Sequence, residues 1–535
     1  MLCLFTGTPG SDLLVLHEYS EVLICIACYK WLDSSFAIRP EMKKYDVIII
    51  GAGPAGYAAA MRAVDFKKKV VLIEKKQLGG AGIHHGALWS KTWWELSREA
   101  YSLRKHGEAL STEGVKFNYQ KLRSEVRDAV QERMDQLDHH MHNINVSIAE
   151  GLFEFVKGNA RVTGEHTVEV SDFEGKKILE GDYIILATGS LPRMLPELPI
   201  DEEMVYTSDG LDKMEDFPRS LVIVGAGVIG CEFATIFSNF GQTKVHLIDK
   251  GDRILPFEDE DVVKVIEKNL ESKNVLIHRN SRLVDMRKEN DMVVYTLEYT
   301  DGSKEVFRVE KALVSVGRVP NYKNLFDDTL DIKVDGRGII DDLTQTTVPN
   351  IYAVGDITAD ISLVNVGELE GRYAIESIFG KPERPLLYEN ISTIMFLSPE
   401  VAGVGMNEIQ AQKAGHNYKV VSIDYSCIPR AIAMRNTQGF IKIIVTNDEK
   451  QKILGMRVVG EHASSAIQAV ALLISMDKGI RELAELIHPH PSIIEGIQEC
   501  GRMLLGKSML KPAVLRHAMV CKVFEDGKYK DAQIV

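Results

Sequence analysis

Two segments of this chain repeat one pattern: an apolar strand, a Gly-x-Gly-x-x-Gly turn, a helix of small residues, and an acid closing the next strand. The first copy runs from residues 45–50 through Gly51-Ala52-Gly53-Pro54-Ala55-Gly56 to a strand at 70–73 that closes on Glu74. The second runs from 221–224 through Gly225-Ala226-Gly227-Val228-Ile229-Gly230 to a strand at 245–248 that closes on Asp249. The acids lie 23 and 24 residues beyond the first glycine of their own turn. In such a unit the first glycine makes the tight turn and the second lets backbone N–H groups approach a pyrophosphate. The third packs helix on strand, and the acid accepts ribose hydroxyls. One copy is weak evidence, because glycine turns join strands to helices for structural reasons alone; two copies with their acids in register predict two dinucleotide sites.

Composition narrows the remaining classes. At 535 residues the chain exceeds one fold unit and fits about three or four domains. Lys and Arg total 63 against 76 Asp and Glu, a formal charge of −13, which opposes binding to nucleic acid and to anionic membranes. Seven scattered cysteines make no disulfide framework and suit a reducing compartment, so a cytoplasmic location is expected. The best apolar run, residues 13–29, is interrupted by His17, Glu18 and Glu21, and the first basic residue is Lys30, so neither a membrane span nor a secretory signal is expected. Cys25 and Cys28 read as incidental apolar cysteines rather than a redox or metal pair, and no metal site is expected.

Other turns complete the outline. A strand at 183–186 runs into Ala187-Thr188-Gly189-Ser190, and one at 351–354 runs into Gly355-Asp356, where the acid is placed to accept a ribityl hydroxyl. Residues 314–316, followed by Gly317-Arg318-Val319-Pro320-Asn321, read as a strand ending in a crossover between domains. From about Pro385 the glycine turns thin out; strands at 440–445 and 453–459 and an apolar helix at 463–475 suggest an α+β domain without a phosphate loop.

Over residues 42–508 the chain resembles the flavoprotein disulfide reductases, the family of dihydrolipoamide dehydrogenase, glutathione reductase and soluble pyridine nucleotide transhydrogenase. The resemblance rests on both nucleotide turns, Ala187-Thr188-Gly189, Gly317-Arg318, Gly355-Asp356, and His490-Pro491 with Glu495. It implies an α/β protein with two Rossmann-like nucleotide-binding domains and a C-terminal α+β dimerisation domain. FAD would be held by 42–190 and 318–385, NAD(P)H by 191–317, and a homodimer formed through 386–508. Residues 1–41 are then an extension of doubtful structure, and 509–535 a charged tail. Gly51, Gly53, Gly56, Glu74, Gly80, Thr188, Gly189 and Asp356 would bind FAD; Gly225, Gly227, Gly230, Asp249 and Gly317 would serve the second dinucleotide.

One departure outweighs the matches. After Gly79-Gly80 the family carries a cysteine, four residues and a second cysteine; here Gly82 and Ala87 stand at those positions, and the nearest cysteines in sequence are Cys28 and Cys231. A disulfide relay needs two thiols that can attack and bridge, so disulfide and mercuric substrates are not expected. His84 and Gly86 resemble the transhydrogenase branch. What needs no thiol is hydride transfer from a nicotinamide, with Lys91 and Glu232 implied by resemblance to pair beside the flavin. Asp249 favours NAD over NADP, which Lys250 and Arg253 could soften. His490 and Glu495 resemble the family's acid–base dyad and read either as proton donor to an acceptor or as interface structure. Two functions stand: an NADH oxidoreductase of diaphorase or transhydrogenase type passing electrons to a small-molecule acceptor, or an FAD- and NADH-binding redox sensor with little turnover. Removal of both thiols leaves either a cavity, with Trp89 as its candidate filler, or space for a flat acceptor, unless the loop closes over the ring and excludes acceptors.

Overall fold

The computed structural model describes residues 43–112 and 114–531. The chain divides into two units, Met1–Lys43 and Lys44–Val535, and the described residues lie almost entirely in the second. Residues 1–41, with Cys25 and Cys28, lie outside them. Mixed α/β architecture is built on three large sheets, and among the described residues no helix is long and apolar enough to cross a membrane.

The first sheet has nine strands. At its centre β1 (Lys43–Ile50) pairs in parallel with β2 (Val70–Glu74), in the register Val47↔Val70 to Ile50↔Ile73. These near-continuous apolar runs are buried on both faces, as parallel strands covered by helices require. Helix α1 (Pro54–Asp65) covers one face, with Pro54 at its first turn, where a missing N–H costs nothing. Helix α2 (Ala87–Lys105) follows the loop after Gly79-Gly80.

The second sheet has five strands, all parallel, with β3 (Ser220–Val224) beside β4 (Lys244–Ile248) and helices α3 (Val228–Phe240) and α4 (Glu260–Ser272) following them. Its Lys311–Val314 strand stops two residues before the expected end. The Ser315 hydroxyl turns back to donate to the carbonyls of Val224 and Gly225, and the crossover pairing resumes at Arg318–Pro320, antiparallel to Ser190–Pro192. Ile351–Ala353 adds a strand to the first sheet, and α5 (Val364–Phe379) follows, packed against α1.

The third sheet is antiparallel with seven strands, including β5 (Tyr418–Asp424), β6 (Phe440–Thr446) and β7 (Ile453–Val459). The expected helix at 463–475 is two pieces, Ala463–Ala466 and Gln468–Ser475, and α6 (Ile494–Leu504) closes the core. The expected tail corrects to structure: β8 (Met519–Glu525) pairs with β5, and β9 (Lys528–Asp531) forms the sheet's edge. Asp526 and Gly527 between them both adopt positive φ, the two-residue turn that suits the twist of a hairpin.

Candidate active site

The two glycine turns are built alike. Gly51 and Gly225 have φ of +105° and +102°, and a Cβ at either would strike the carbonyl oxygen of Ala187 or Ser315 at 2.3 and 2.6 Å. Gly56 and Gly230 close the turns, since a Cβ there would lie 1.9 Å from the carbonyl oxygen of Gly51 or Gly225. Gly53 and Gly227 differ: a Cβ at either meets no protein atom within 4 Å. Fold packing does not demand glycine at these two positions, whereas a ligand backed onto a helix N-terminus does, and the residues therefore fit a pyrophosphate.

Each acid is fixed by two backbone donors. Glu74 accepts from Ala52 N at 2.9 Å and Lys76 N at 2.6 Å. Asp249 accepts from Ala226 N at 3.0 Å and Gly251 N at 2.8 Å. Carboxylates held this way keep acceptor capacity for ribose hydroxyls. Gly80, with φ +50°, lies against the first turn, its would-be Cβ 3.2 Å from Gly53 Cα.

Around Asp356 the structure assembles partners that spacing did not disclose. Asp356 accepts from the Ser190 hydroxyl at 2.7 Å, and Arg318 donates to that hydroxyl and to Asp209. The Thr188 hydroxyl donates to Asn321 O, and Asn321 N donates to Gly189 O, so the segments around Gly189 and Gly317 are stitched together. Gly355 N donates to Glu370 of α5 at 2.6 Å, and Tyr388 donates to its other oxygen. Burial pushes the Glu370 carboxyl up to about 7, opposed by those two hydrogen bonds and reinforced by Asp360 and Asp341. No sequence spacing marks Glu370, because its contacts are tertiary.

Between the turns, Lys91 of α2 donates to Glu232 of α3 at 2.8 Å. The other Glu232 oxygen accepts from Phe396 N at 2.9 Å, and the Lys91 ammonium lies 5.0 Å from the Phe396 ring centroid. Glu232 is buried and Lys91 is partly open. The preceding loop is fastened to the first turn by Gly79 N donating to Ala52 O at 2.8 Å. His84 bonds to Leu78 O, and burial holds its imidazole below the ordinary value.

The space expected at position 82 is not open at the side chain's own place: a Cβ on Gly82 would stand 2.7 Å from Pro54 Cγ. Trp89 does not fill a gap beside the loop either. It is buried in an aromatic cluster, 6.3 Å from Trp93 and 6.1 Å from Phe233 between ring centroids.

Among the described residues the cysteines are free, and Cys231 and Cys500 are fully enclosed. Burial raises both thiols well above their ordinary value, which disfavours the thiolate. His490 and Glu495, five residues apart, meet just before and in α6: His490 Nδ1 lies 2.8 Å from Glu495 Oε1, whose other oxygen accepts from Ser492 N. Burial works to raise the Glu495 carboxyl, but the bonds from His490 and Ser492 outweigh it and hold it low. The His490 side chain is 69% exposed.

Residues 45–371 match the family described as pyridine nucleotide-disulphide oxidoreductase, and 391–500 match that family's dimerisation domain. A dihydrolipoyl dehydrogenase of Bacillus subtilis is 33% identical over 475 residues, 87% of this chain and 99% of that protein. Leghemoglobin reductase of Glycine max is 31% identical over 487 residues, 89% and 91% of the two chains. Among solved structures, the HOCl-induced flavoprotein disulfide reductase RclA of Escherichia coli, as its Cu(II) complex, superimposes with a TM-score of 0.77 at 26% identity, covering 86% of this chain and all of that one.

Proposed function

The chain belongs to the pyridine nucleotide-disulphide oxidoreductase family, whose members bind FAD and NAD(P), and from that premise we propose an FAD-dependent NADH oxidoreductase that serves a non-disulfide acceptor. The observation that carries the reading is the segment from Gly79 to Lys91, which runs into the start of α2. It holds Gly82 and Ala87 and no thiol, yet it ends on a Lys91–Glu232 pair 2.8 Å apart. Bound FAD would supply the two-electron carrier between a reduced nicotinamide and the acceptor.

The chain's own residues do the rest. Glu74, with the N–H groups at the start of α1, holds the adenosine ribose and pyrophosphate of FAD, while Thr188, Gly189 and Asp356 serve its ribityl side. Asp249 holds the ribose of the second dinucleotide and repels a 2′-phosphate, which makes NADH the preferred donor. Arg253 is directed to Pro256 O at 3.1 Å, an engagement that limits its help to a phosphate. Lys91 places a positive charge where electron density gathers, and Glu232 fixes the ammonium in place.

The relative named for leghemoglobin, a protein rather than a disulfide, supports an acceptor of another class. Exposed Leu472, Met476, Leu486 and Ile487, all within the matched dimerisation domain, support a homodimer. His490, three residues beyond Ile487, is likewise exposed. Its bond to Glu495 serves either a proton donor or an interface strut, and a pH–rate profile that loses one limb in His490→Gln selects the first. The test of the whole reading is steady-state NADH oxidation with ferricyanide, a quinone and lipoamide as alternative acceptors. Turnover with the first two and none with lipoamide supports it. Reduction of bound flavin without turnover on any acceptor selects the redox sensor instead.

A further inference from the structure

The loop between β4 and α4 carries Asp249, Lys250 and Arg253, and it is stitched to the second glycine turn. Ala226 N donates to Asp249, and Leu255 N donates back to Ala226 O at 2.9 Å. The loop ends on Glu258 and Asp259, and Asp261 follows in the first turn of α4. Glu258 and Asp259 are 6% and 4% exposed, an unusual place for neighbouring acids.

What holds them comes from the third sheet. Lys442 of β6, 1% exposed, donates at 2.8 Å to Asp259 Oδ2, to both Asp261 oxygens and to Glu408 Oε1. Arg457 of β7 reaches both Glu258 oxygens at 3.2 Å. Backbone bonds close the same contact: Glu408 N and Ile409 N donate to Asp259, and the Asn407 amide donates to Phe257 O. Asp259, Asp261 and Glu408 are, among the described residues, the group whose ligand atoms lie close enough to share a metal ion. The Lys442 ammonium touches all three and supplies the cation itself. Burial works to lower the Lys442 ammonium, but Asp261, Glu408 and Asp259 outweigh it and hold it raised.

The contact continues to the end of the described chain. Tyr529 of β9 donates to Glu408 Oε2 at 2.7 Å, and Tyr418 of β5 donates to the same oxygen at 3.2 Å. The C-terminal hairpin thus buttresses the acid that completes the shell around Lys442. Buried ion pairs add little net stability over apolar packing of the same volume, but removing one partner leaves the other charge buried and uncompensated. The acids paired in this way lie at the far end of the segment that begins with Asp249.

We propose that Lys442 and Arg457 are positioning residues for the second dinucleotide site. Acting from the third sheet, they hold the loop after Asp249 in its binding shape, and Tyr529 of the C-terminal hairpin sets Glu408 within that clamp. The inference rests on the reading of the second turn as the NADH site. It assigns a role in nucleotide affinity to residues of the third sheet.

The test is NADH affinity in the FAD-loaded full chain, from KM and kcat with ferricyanide as acceptor and from direct titration of the Kd. Lys442→Met and Arg457→Met are expected to raise KM and Kd roughly tenfold, with kcat at saturating NADH and FAD content within about twofold. Tyr529→Phe, which leaves no buried charge unpaired, is expected to raise both about two- to threefold. If the first two variants do not fold, Tyr529→Phe and Glu408→Gln decide the matter alone. Unchanged NADH affinity in the folded variants, or a fall in kcat without a rise in KM, overturns the clamp. Failure of the unmodified protein to bind NADH would overturn the nucleotide reading itself, a result separate from any variant's.

Discussion

Lys91 and Glu232 stand 141 residues apart in sequence and 2.8 Å apart in space, and their contact joins the helix after the thiol-free loop to the helix of the second glycine turn. Neither group is held by the other alone. Ser90 also lies within 3.2 Å of the ammonium, and Phe396 N fixes the far oxygen of the carboxylate. The pair is thus anchored on both sides, with the carboxylate buried, unlike a solvent-exposed surface ion pair.

Replacing Lys91 by Met therefore removes the charge and leaves the backbone intact. The expected outcome is flavin reduction by NADH slowed about 10²-fold with FAD content unchanged, read by anaerobic stopped-flow. A rate within threefold of the unmodified protein would remove Lys91 from the chemistry.

Gly53 and Gly56 should separate ligand binding from folding. Gly53→Ala meets no protein atom, so the thermal midpoint of the FAD-free chain should hardly move while FAD affinity falls about tenfold or more. Gly56→Ala drives a Cβ to 1.9 Å from Gly51 O and should destabilise the fold itself. Comparison of melting curves and FAD titrations for the two variants checks this; identical behaviour would contradict it.

On the proposed reading, Asp249→Ser removes the carboxylate that would accept ribose hydroxyls and repel a 2′-phosphate. The ratio of kcat/KM for NADPH over NADH should rise by roughly tenfold or more. A constant ratio would mean that Asp249 does not face the ribose.

Acid stability should depend on a buried histidine on β4 of the second sheet. His246 Nδ1 pairs with Tyr295 OH at 2.7 Å, and burial, with His278 and Lys244 nearby, lowers its imidazole from 6.5 to about 4. Because the folded value is depressed, the unfolded chain takes up the proton first. Stability is whole above about 6.5 and declines as pH falls toward 4, by at most about 3 kcal/mol from this group. Denaturant melts at pH 7 and 4.5 should show a smaller loss in His246→Phe than in the unmodified protein; an equal loss would contradict the assignment.

The glycine turns, their acids and the central strands were legible because each is a local pattern: a fixed spacing, an apolar run, an acid at a strand's end. The resemblance led to Lys91 with Glu232, 141 residues apart, and to His490 with Glu495, only five apart, as pairs. Glu370, Ser190 with Arg318 and the clamp around Lys442 were not legible, since each is a tertiary contact between distant segments. The C-terminal hairpin was missed for a different reason. Asp526-Gly527 is a strong turn signal, but the flanking strands carry too many charges to read as a sheet, and Lys522, Lys528 and Lys530 are what an edge needs.

The most direct test of the central claim is an anaerobic titration of the FAD-loaded protein with NADH, following the flavin spectrum. Bleaching complete at a single equivalent of NADH per FAD, with no long-wavelength band from a thiolate against the flavin, is the predicted result. Uptake of a second equivalent, or appearance of that band, would reveal a dithiol in the electron path and contradict the account.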